Sequence, residues 1–330
     1  METIYNLVVR GTPVNGYDED GFSPLIMAAC CGHLTIAHLL LEMGARVNMA
    51  GINRATPLHV AIQANFPEVA DLILDCRPNL YKTMEGGRCP LFVAVQEGHR
   101  WAVQGLLEAK ADPDQCSDEG LTPLHIAVQA GHLRIVRTLL AGVGGAHSAA
   151  VNLADRRGIT PVVLAAAYAV QPQGSQPAAM SPGKKPNPNH SLDNRQAILE
   201  MLLDRKPDLD AGPVVGTIQA ARSSGRDRFL SPLLVATVGA GLGAFRPAGG
   251  RTTSDENPRA EVVSRLLEAR ADVNCSVLGV SPLLCACHSA DNELLQVLIS
   301  ESGIRRCKAW SAASVFATLH GREHDALHKL

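Results

Sequence analysis

A proline that recurs with a fixed period constrains the fold of this chain more than any other feature. Pro24, Pro57, Pro90 and Pro123 are each 33 residues apart. The same frame continues, after insertions, at the prolines numbered 161, 232 and 282. Leucine or valine follows every one of these prolines, and an alanine stands four residues after each. A repeat of this length predicts a stack of similar units, each of which buries its apolar face against its neighbours.

Each unit carries the signals of two helices. A proline fits the first position of a helix, and the serine or threonine before it can cap the helix. In the fourth unit, Gly131-His132 breaks this first helix. The stripe of Ile135, Val136, Leu139 and Leu140 then has helical spacing and predicts a second helix. Asp155 to Gly158 has the composition of a turn between units.

At these residues the chain resembles the ankyrin repeat family. The segments Thr122-Pro123-Leu124-His125-Ile126-Ala127 and Gly131-His132-Leu133-Arg134-Ile135-Val136 are close to its consensus. The resemblance implies an all-α solenoid of helix–turn–helix units with projecting β-turn fingers. It also implies that protein partners bind along the concave face of fingers and inner helices.

One histidine of the family motif is kept in only two repeats, as His59 and His125. The resemblance implies that this side chain makes hydrogen bonds in the turn. Other residues occupy the position elsewhere, and those turns are expected to be less rigid: Ile26, Phe92, Val163, Leu234 and Leu284.

Measured against the repeat frame, the chain divides into four parts. Residues 1–17 are expected to form an N-terminal half-repeat cap, and 18–152 form four regular repeats. Residues 153–308 form three repeats interrupted by loops at about 169–191, 213–227 and 239–258, and 309–330 form a degenerate C-terminal capping repeat. The loops are rich in Pro, Gly, Ser and Gln, a composition that favours disorder. Ser181 in the first loop is followed by Pro-Gly-Lys and resembles a proline-directed phosphorylation site, although an unmodified linker is the alternative.

Composition narrows the function. Thirty Lys and Arg against 32 Asp and Glu give a net charge of −2, which argues against a nucleic-acid partner. No apolar run approaches the ~18 residues of a membrane span, so no membrane insertion is expected. The first residues lack the basic and apolar segments of a signal peptide, and nine cysteines are then simplest as free thiols. We therefore expect a cytoplasmic protein, with a nuclear location as the alternative.

Two patterns could indicate a cofactor or a metal. Gly239 to Ala244 matches a dinucleotide fingerprint, but the apolar run before it lies in the repeat frame and should be an inner helix, not a strand. A cysteine-rich stretch lacks the paired spacing of zinc sites: Cys275, Cys285, Cys287, His288 and Cys307. Cys285 and Cys287 fall on core positions of the repeat. We predict no cofactor, no metal and no catalytic site.

The sequence therefore predicts a non-enzymatic, monomeric protein-interaction module, a scaffold or adaptor. One alternative is a regulatory ankyrin subunit or fragment of an enzyme whose catalytic part is on another chain. The other is an enzyme whose site is built by the insertions.

The predicted partner-binding residues lie on finger tips and at inner-helix ends. From the fingers they are Asp20, Phe22, Asn53, Glu85, Arg88, Asp118, Glu119, Leu121, Arg156 and Arg157. The helix ends add a polar row of Gln63, Gln96 and Gln129, with Tyr168 extending it. Because the early fingers are acidic, we expect a basic partner segment and salt-dependent association.

Overall fold

The computed structural model describes residues 13–143, 147–170, 192–209, 231–238, 258–273, 275, 281–289 and 291–301. These residues belong to two compact units. The first contains residues 13–161 and the second contains the described residues from 162 to 170 and from 195 onward. Residues 192–194 group with the first unit.

The first unit is a double row of short helices. The inner row consists of α1 (Pro24–Cys31), α3 (Pro57–Gln63), α5 (Pro90–Glu97) and α7 (Pro123–Gln129). The outer row consists of α2 (Leu34–Glu42), α4 (Pro67–Asp75), α6 (Arg100–Glu108) and α8 (Leu133–Ala141). Each inner helix packs against the next inner helix and against its own outer helix. The core therefore lies between the rows and continues from one repeat to the next.

The second unit holds the remaining helices of the described residues. They are α9 (Pro161–Ala169), which begins at the last residue of the first unit, α10 (Leu192–Leu203), whose first three residues group with the first unit, α11 (Pro232–Val238), α12 (Pro258–Glu268), α13 (Pro282–Ser289) and α14 (Asn292–Glu301). Helices α12 and α13 each pack against both α11 and α14. The Arg265 guanidinium lies 2.9 Å from the Glu200 carboxylate and ties α12 to α10.

The seven periodic prolines each begin a helix, which confirms the repeat frame. The capping prediction holds at α1 and α7, since Ser23 Oγ accepts a hydrogen bond from the Ile26 N–H and Thr122 Oγ1 accepts one from the His125 N–H. The periodic alanines are all buried, at most 3% exposed: Ala28, Ala61, Ala94, Ala127, Ala165, Ala236 and Ala286. A larger side chain at these positions would keep neighbouring inner helices apart. Gly32, with φ +70°, ends α1 in the left-handed conformation that glycine adopts most readily.

The all-α prediction is confirmed. The described residues contain no β-strand, and one isolated bridge joins Met84 to Arg88. Among them, no helix has the length and apolarity to cross a membrane. Most of the N-terminal cap, the interiors of the three insertions, Ser181 and the C-terminal cap lie outside the described residues.

Candidate functional site

Five tight turns, which we call the first to fifth fingers, join the repeats of the first unit. They comprise residues 18–22, 51–55, 84–88, 117–121 and 155–159. In each finger the first N–H donates to the fifth carbonyl at 2.9–3.0 Å, and the fourth N–H donates to the first carbonyl at 2.9–3.2 Å. The fourth residue has φ between 58° and 79°. Four fingers place glycine there, whereas the second finger places Arg54.

Backbone hydrogen bonds connect neighbouring fingers. The Asp118 N–H donates to the Gly86 carbonyl at 3.0 Å, and the Arg156 N–H donates to the Glu119 carbonyl at 3.1 Å. A Cβ at Gly87 would lie 2.5 Å from the Asp118 backbone nitrogen, so only glycine permits this approach. The third, fourth and fifth fingers therefore form a fixed row.

The two motif histidines join an inner helix to the next finger. His59 Nδ1 accepts from the Thr56 N–H, and its Nε2 lies 3.2 Å from the Arg88 carbonyl oxygen of the third finger. His125 repeats this arrangement with Thr122 and with the Ile159 carbonyl of the fifth finger, at 2.9 Å. In both rings Nδ1 is the acceptor, so Nε2 carries the proton that is donated. The role implied by the family resemblance is confirmed for both residues.

Burial keeps these imidazoles neutral. Desolvation lowers the pKa of His59 from 6.5 to about 4, with the nearby Arg88 guanidinium acting in the same direction. Desolvation also lowers the pKa of His125. A neutral ring is the form that can accept at one nitrogen while donating from the other, as this geometry requires.

None of the predicted partner-binding residues is buried. Those exposed are Asp20, Asn53, Gln63, Glu85, Gln96, Asp118, Glu119, Arg156 and Arg157. Those half-buried are Phe22, Arg88, Leu121, Gln129 and Tyr168. Gln63 and Gln129 are the last residues of α3 and α7, and Gln96 is next to last in α5. Tyr168 lies on α9 of the second unit, where its carbonyl accepts from Arg195 Nη1 at 3.2 Å. The extension of the glutamine row to Tyr168 stays a prediction, as does the binding role of the whole set.

Four of the predicted residues line one cleft of about 310 Å³ between the third and fourth fingers: Glu85, Arg88, Glu119 and Leu121. Phe92 from α5 and Ser117 at the start of the fourth finger complete its lining, with the backbone of Gly86. Phe92 is 4% exposed and Ser117 is 8% exposed. The cleft thus has apolar sides, charged groups and a buried hydroxyl. Asp20, Phe22, Asn53, Arg156 and Arg157 lie outside it.

The charges of the fingers change sign along the row. The first, third and fourth fingers carry exposed acids at their tips, whereas the fifth carries Arg156 and Arg157. Arg157 Nε lies 3.0 Å from Oδ2 of Asp155, whose side chain is only 2% exposed. This pairing neutralises one of the two arginines locally, so the basic end of the row is weaker than the sequence alone indicates.

Ile52 of the second finger is an exposed apolar residue that sequence reasoning missed. It is 54% exposed, and its side chain would lie 2.8 Å from a Cβ at Gly21. Ile52 is the second residue of its finger, the position that Glu85 occupies in the third finger. The repeat frame could have identified Ile52, but Arg54 replaces the glycine that marks the turn in the other fingers.

A group of three potential metal ligands, none of them a finger residue, was also missed. His147 Nε2 lies 3.4 Å from Asp112 Oδ1 and 3.3 Å from Asp114 Oδ2. Asp114 Oδ1 accepts from the Ala150 N–H at 2.8 Å. Among the described residues this is the one group of three such ligand atoms within 4.8 Å of one another. The Asp-Pro-Asp sequence at 112–114 and the histidine shortly after α8 were its signals.

The two cofactor patterns of the sequence gain no support from the described residues. The apolar run before Gly239 is helix α11 and not the strand that a dinucleotide fingerprint needs. Cys285 is buried, as its core position predicts, and burial raises the pKa of its thiol. A raised pKa disfavours the thiolate that binds a metal. The side chains of Cys287, His288 and Cys307 lie outside the described residues.

Comparison with known proteins agrees with the repeat architecture. The family model for ankyrin repeats matches three times, at residues 1–84, 47–116 and 91–175, and so spans more than half of the chain. The chain belongs to the ankyrin repeat family. Ankyrin repeats are typically non-catalytic and generally act as protein-interaction modules.

Two relatives share part of the chain. A putative ankyrin repeat-containing protein of Treponema pallidum (strain Nichols) is 36% identical over 81 residues, which are 24% of this chain and 27% of that protein. The ARF GTPase-activating protein Git of Drosophila melanogaster is 40% identical over 76 residues, which are 23% of this chain and 10% of that protein. The similarity thus covers about a quarter of the first relative and a tenth of the second.

Proposed function

We propose that the first unit binds a basic, extended segment of a protein partner across its fingers and inner-helix ends, and that the chain acts as a monomeric scaffold or adaptor. The observation that carries this proposal is the row of exposed acidic finger tips. Glu85, Asp118 and Glu119 make no salt bridge with any described residue, so their charge is available to a partner.

The rigidity of the row supports the same function. The backbone bonds between the third, fourth and fifth fingers and the His59 and His125 contacts fix the tips before any partner arrives. A preorganised surface loses little conformational entropy on binding. We further propose that the chain works in the cytoplasm or the nucleus. The seven cysteines whose side chains the structure describes are free thiols, which suits a reducing compartment.

The test is a charge reversal with a matched control. A partner found by proximity labelling in cells would be purified, and its Kd would be measured for Glu85→Lys, Asp118→Lys and Glu119→Lys combined. The control variant reverses three acids on outer helix α4: Glu68→Lys, Asp71→Lys and Asp75→Lys. Both variants change the net charge equally, so only the position of the charge differs.

We expect the finger variant to bind at least about tenfold more weakly, because the reversed charges repel a basic segment. The control should bind within about twofold of the unmodified chain. Affinity for the unmodified chain should also fall as salt is raised, since exposed charges are screened. Equal losses in the two variants, with both still folded by circular dichroism, would show that the binding face has been misplaced.

A second candidate is a regulatory ankyrin subunit or fragment of an enzyme. The observation that favours it is the similarity to a short part of a much longer protein named as a GTPase-activating protein. Its test is co-purification with an enzymatic activity that is lost when this chain is deleted.

A further inference from the structure

The cleft between the third and fourth fingers contains a buried hydroxyl that none of the described residues satisfies. Ser117 is 8% exposed, and its Oγ has no hydrogen-bond partner among the described residues. A buried polar group without a partner costs about 1–3 kcal/mol, so such groups are uncommon in folded proteins. Ser117 lines the cleft, so a ligand that enters it and reaches this enclosed oxygen would supply the partner.

The equivalent residue of other fingers is satisfied within its own turn. Asp155 begins the fifth finger, and its Oδ1 accepts from the Arg157 and Ile159 N–H groups at 2.8 and 2.9 Å. Asp18 begins the first finger, and its Oδ1 accepts from the Phe22 N–H. Ser117 occupies the same position without making such a bond. The fourth finger therefore differs from these two where it lines the cleft.

The remaining lining combines acidic groups with an apolar wall. Glu85 and Glu119 are exposed and form no salt bridge with any described residue, whereas Arg88 Nε donates to the Glu85 carbonyl at 3.0 Å. Phe92 and Leu121 provide the apolar surface. Two carboxylates against one guanidinium leave the cleft negative. A ligand that fits has an apolar stem and a positively charged end.

A lysine side chain meets these requirements. Its four methylene groups can pack along apolar surface while its ammonium group remains polar. The ammonium carries three N–H donors, and the cleft offers three acceptors that have no partner among the described residues: Ser117 Oγ and the carboxylates of Glu85 and Glu119. Arginine has a planar fork that matches a single carboxylate better than three separate acceptors.

We propose that this cleft receives one lysine side chain of the partner's segment, with its ammonium bound by Ser117, Glu85 and Glu119. The inference rests on the proposed function, because it assigns one subsite of the finger surface. It adds a specificity that charge alone does not supply, namely lysine at one position of the bound segment.

The test uses peptides and the full chain. A phage library of random peptides about a dozen residues long would be selected on the chain, and bound peptides would be synthesised with a fluorescent label for anisotropy. We expect one lysine to recur at a fixed position. Its replacement by norleucine, which keeps the stem and removes the ammonium, should weaken binding about tenfold or more.

Variants of the cleft identify where that lysine binds. Ser117→Ala and Glu119→Gln should each weaken the lysine peptide about three- to tenfold and leave the norleucine peptide nearly unchanged. Glu68→Gln on α4 is the matched control and should change neither peptide. Urea midpoints would confirm that the variants remain folded.

The outcomes separate this inference from the proposed function. If the selected peptides lack a fixed lysine, accept arginine there equally, or ignore Ser117→Ala and Glu119→Gln, the lysine subsite is wrong. The finger surface would stand in those cases if the triple reversal of Glu85, Asp118 and Glu119 still abolished binding. Failure to select any peptide, or peptides that ignore the triple reversal, would overturn both.

Discussion

Acidification should destabilise the second repeat through His59. The imidazole is buried, accepts from the Thr56 N–H at Nδ1 and donates from Nε2 to the Arg88 carbonyl. Protonation of Nδ1 would turn this acceptor into a donor facing another donor. Desolvation lowers the pKa in the folded chain to about 4, against 6.5 for the ordinary side chain.

The size of the effect follows from this difference in pKa. Below about pH 6.5 the unfolded chain binds a proton at His59 that the folded repeat excludes until about pH 4. The contribution of His59 to the free energy of unfolding is therefore at its maximum above pH 6.5 and falls between pH 6.5 and 4. Below pH 4 it is lower by about 3 kcal/mol. At about pH 5 the loss is about 2 kcal/mol, or roughly a 30-fold change in the opening equilibrium. The lowered pKa of His125 acts in the same direction in the fourth repeat.

Hydrogen–deuterium exchange of α3 measures this locally. Protection factors for the amides of residues 57–63, corrected for intrinsic exchange, would be compared between about pH 7.5 and about pH 5. We expect protection to fall about 30-fold. His59→Phe, which copies Phe92 of the third repeat, should be less stable at about pH 7.5 by about 1–3 kcal/mol because buried hydrogen bonds are lost. It should, however, lose most of the pH dependence.

Carboxylates elsewhere also respond to acid, so the difference between variants is decisive. His33→Asn, at the position before α2, is the control and should keep the full pH dependence. If His59→Phe shows the same fall in protection as the unmodified chain, the buried imidazole is not the cause and the reasoning is refuted.

Three further changes test the geometry of the turns, each by urea denaturation. Arg54→Gly should stabilise the chain by about 0.5–1 kcal/mol, because Arg54 has φ 58° where glycine is relaxed; no gain would argue against strain there. Gly32→Ala should cost about 1–3 kcal/mol more than Gly44→Ala, since both glycines have positive φ but only at Gly32 would an added Cβ collide with the Phe66 ring; equal costs would mean that the ring moves freely. Ser117→Asp should stabilise by about 1 kcal/mol by closing the fourth finger as aspartate closes the fifth, and an unchanged or lower midpoint would contradict this.

The sequence predicted the repeat because local chemistry defines each element. Proline marks the first turn of each inner helix, and the alanine four residues later marks its close contact with the neighbouring inner helix. Both signals recur in every repeat. The capping prediction was incomplete at the third repeat. Cys89 takes the position of Ser or Thr, and its Sγ accepts from the Phe92 N–H at 3.4 Å.

The cleft could not be predicted in the same way. Its lining comes from two fingers and a helix, and its distinguishing feature is that Ser117 Oγ makes no hydrogen bond to any described residue. Sequence periodicity places residues on the finger tips but does not show which hydroxyl is left without a partner. The ion pair between Arg157 and Asp155 was missed for a similar reason. Which side chains of a turn meet depends on its backbone angles, and the sequence does not give these directly.

The cleft lies where the repeat departs from its own motif. His59 and His125 each bond to the fifth carbonyl of the following finger, at Arg88 and Ile159. The intervening repeat has Phe92 at this position, so the Leu121 carbonyl accepts from the Ser117 N–H but from no motif histidine. Phe92 instead forms the apolar wall of the cleft beside Leu121. The two histidines hold the fingers on either side of the fourth. Phe92 in place of the motif histidine thus removes one contact between repeats and leaves an apolar, acidic cleft at the same place. The regular repeats on either side supply the rigidity that the site needs.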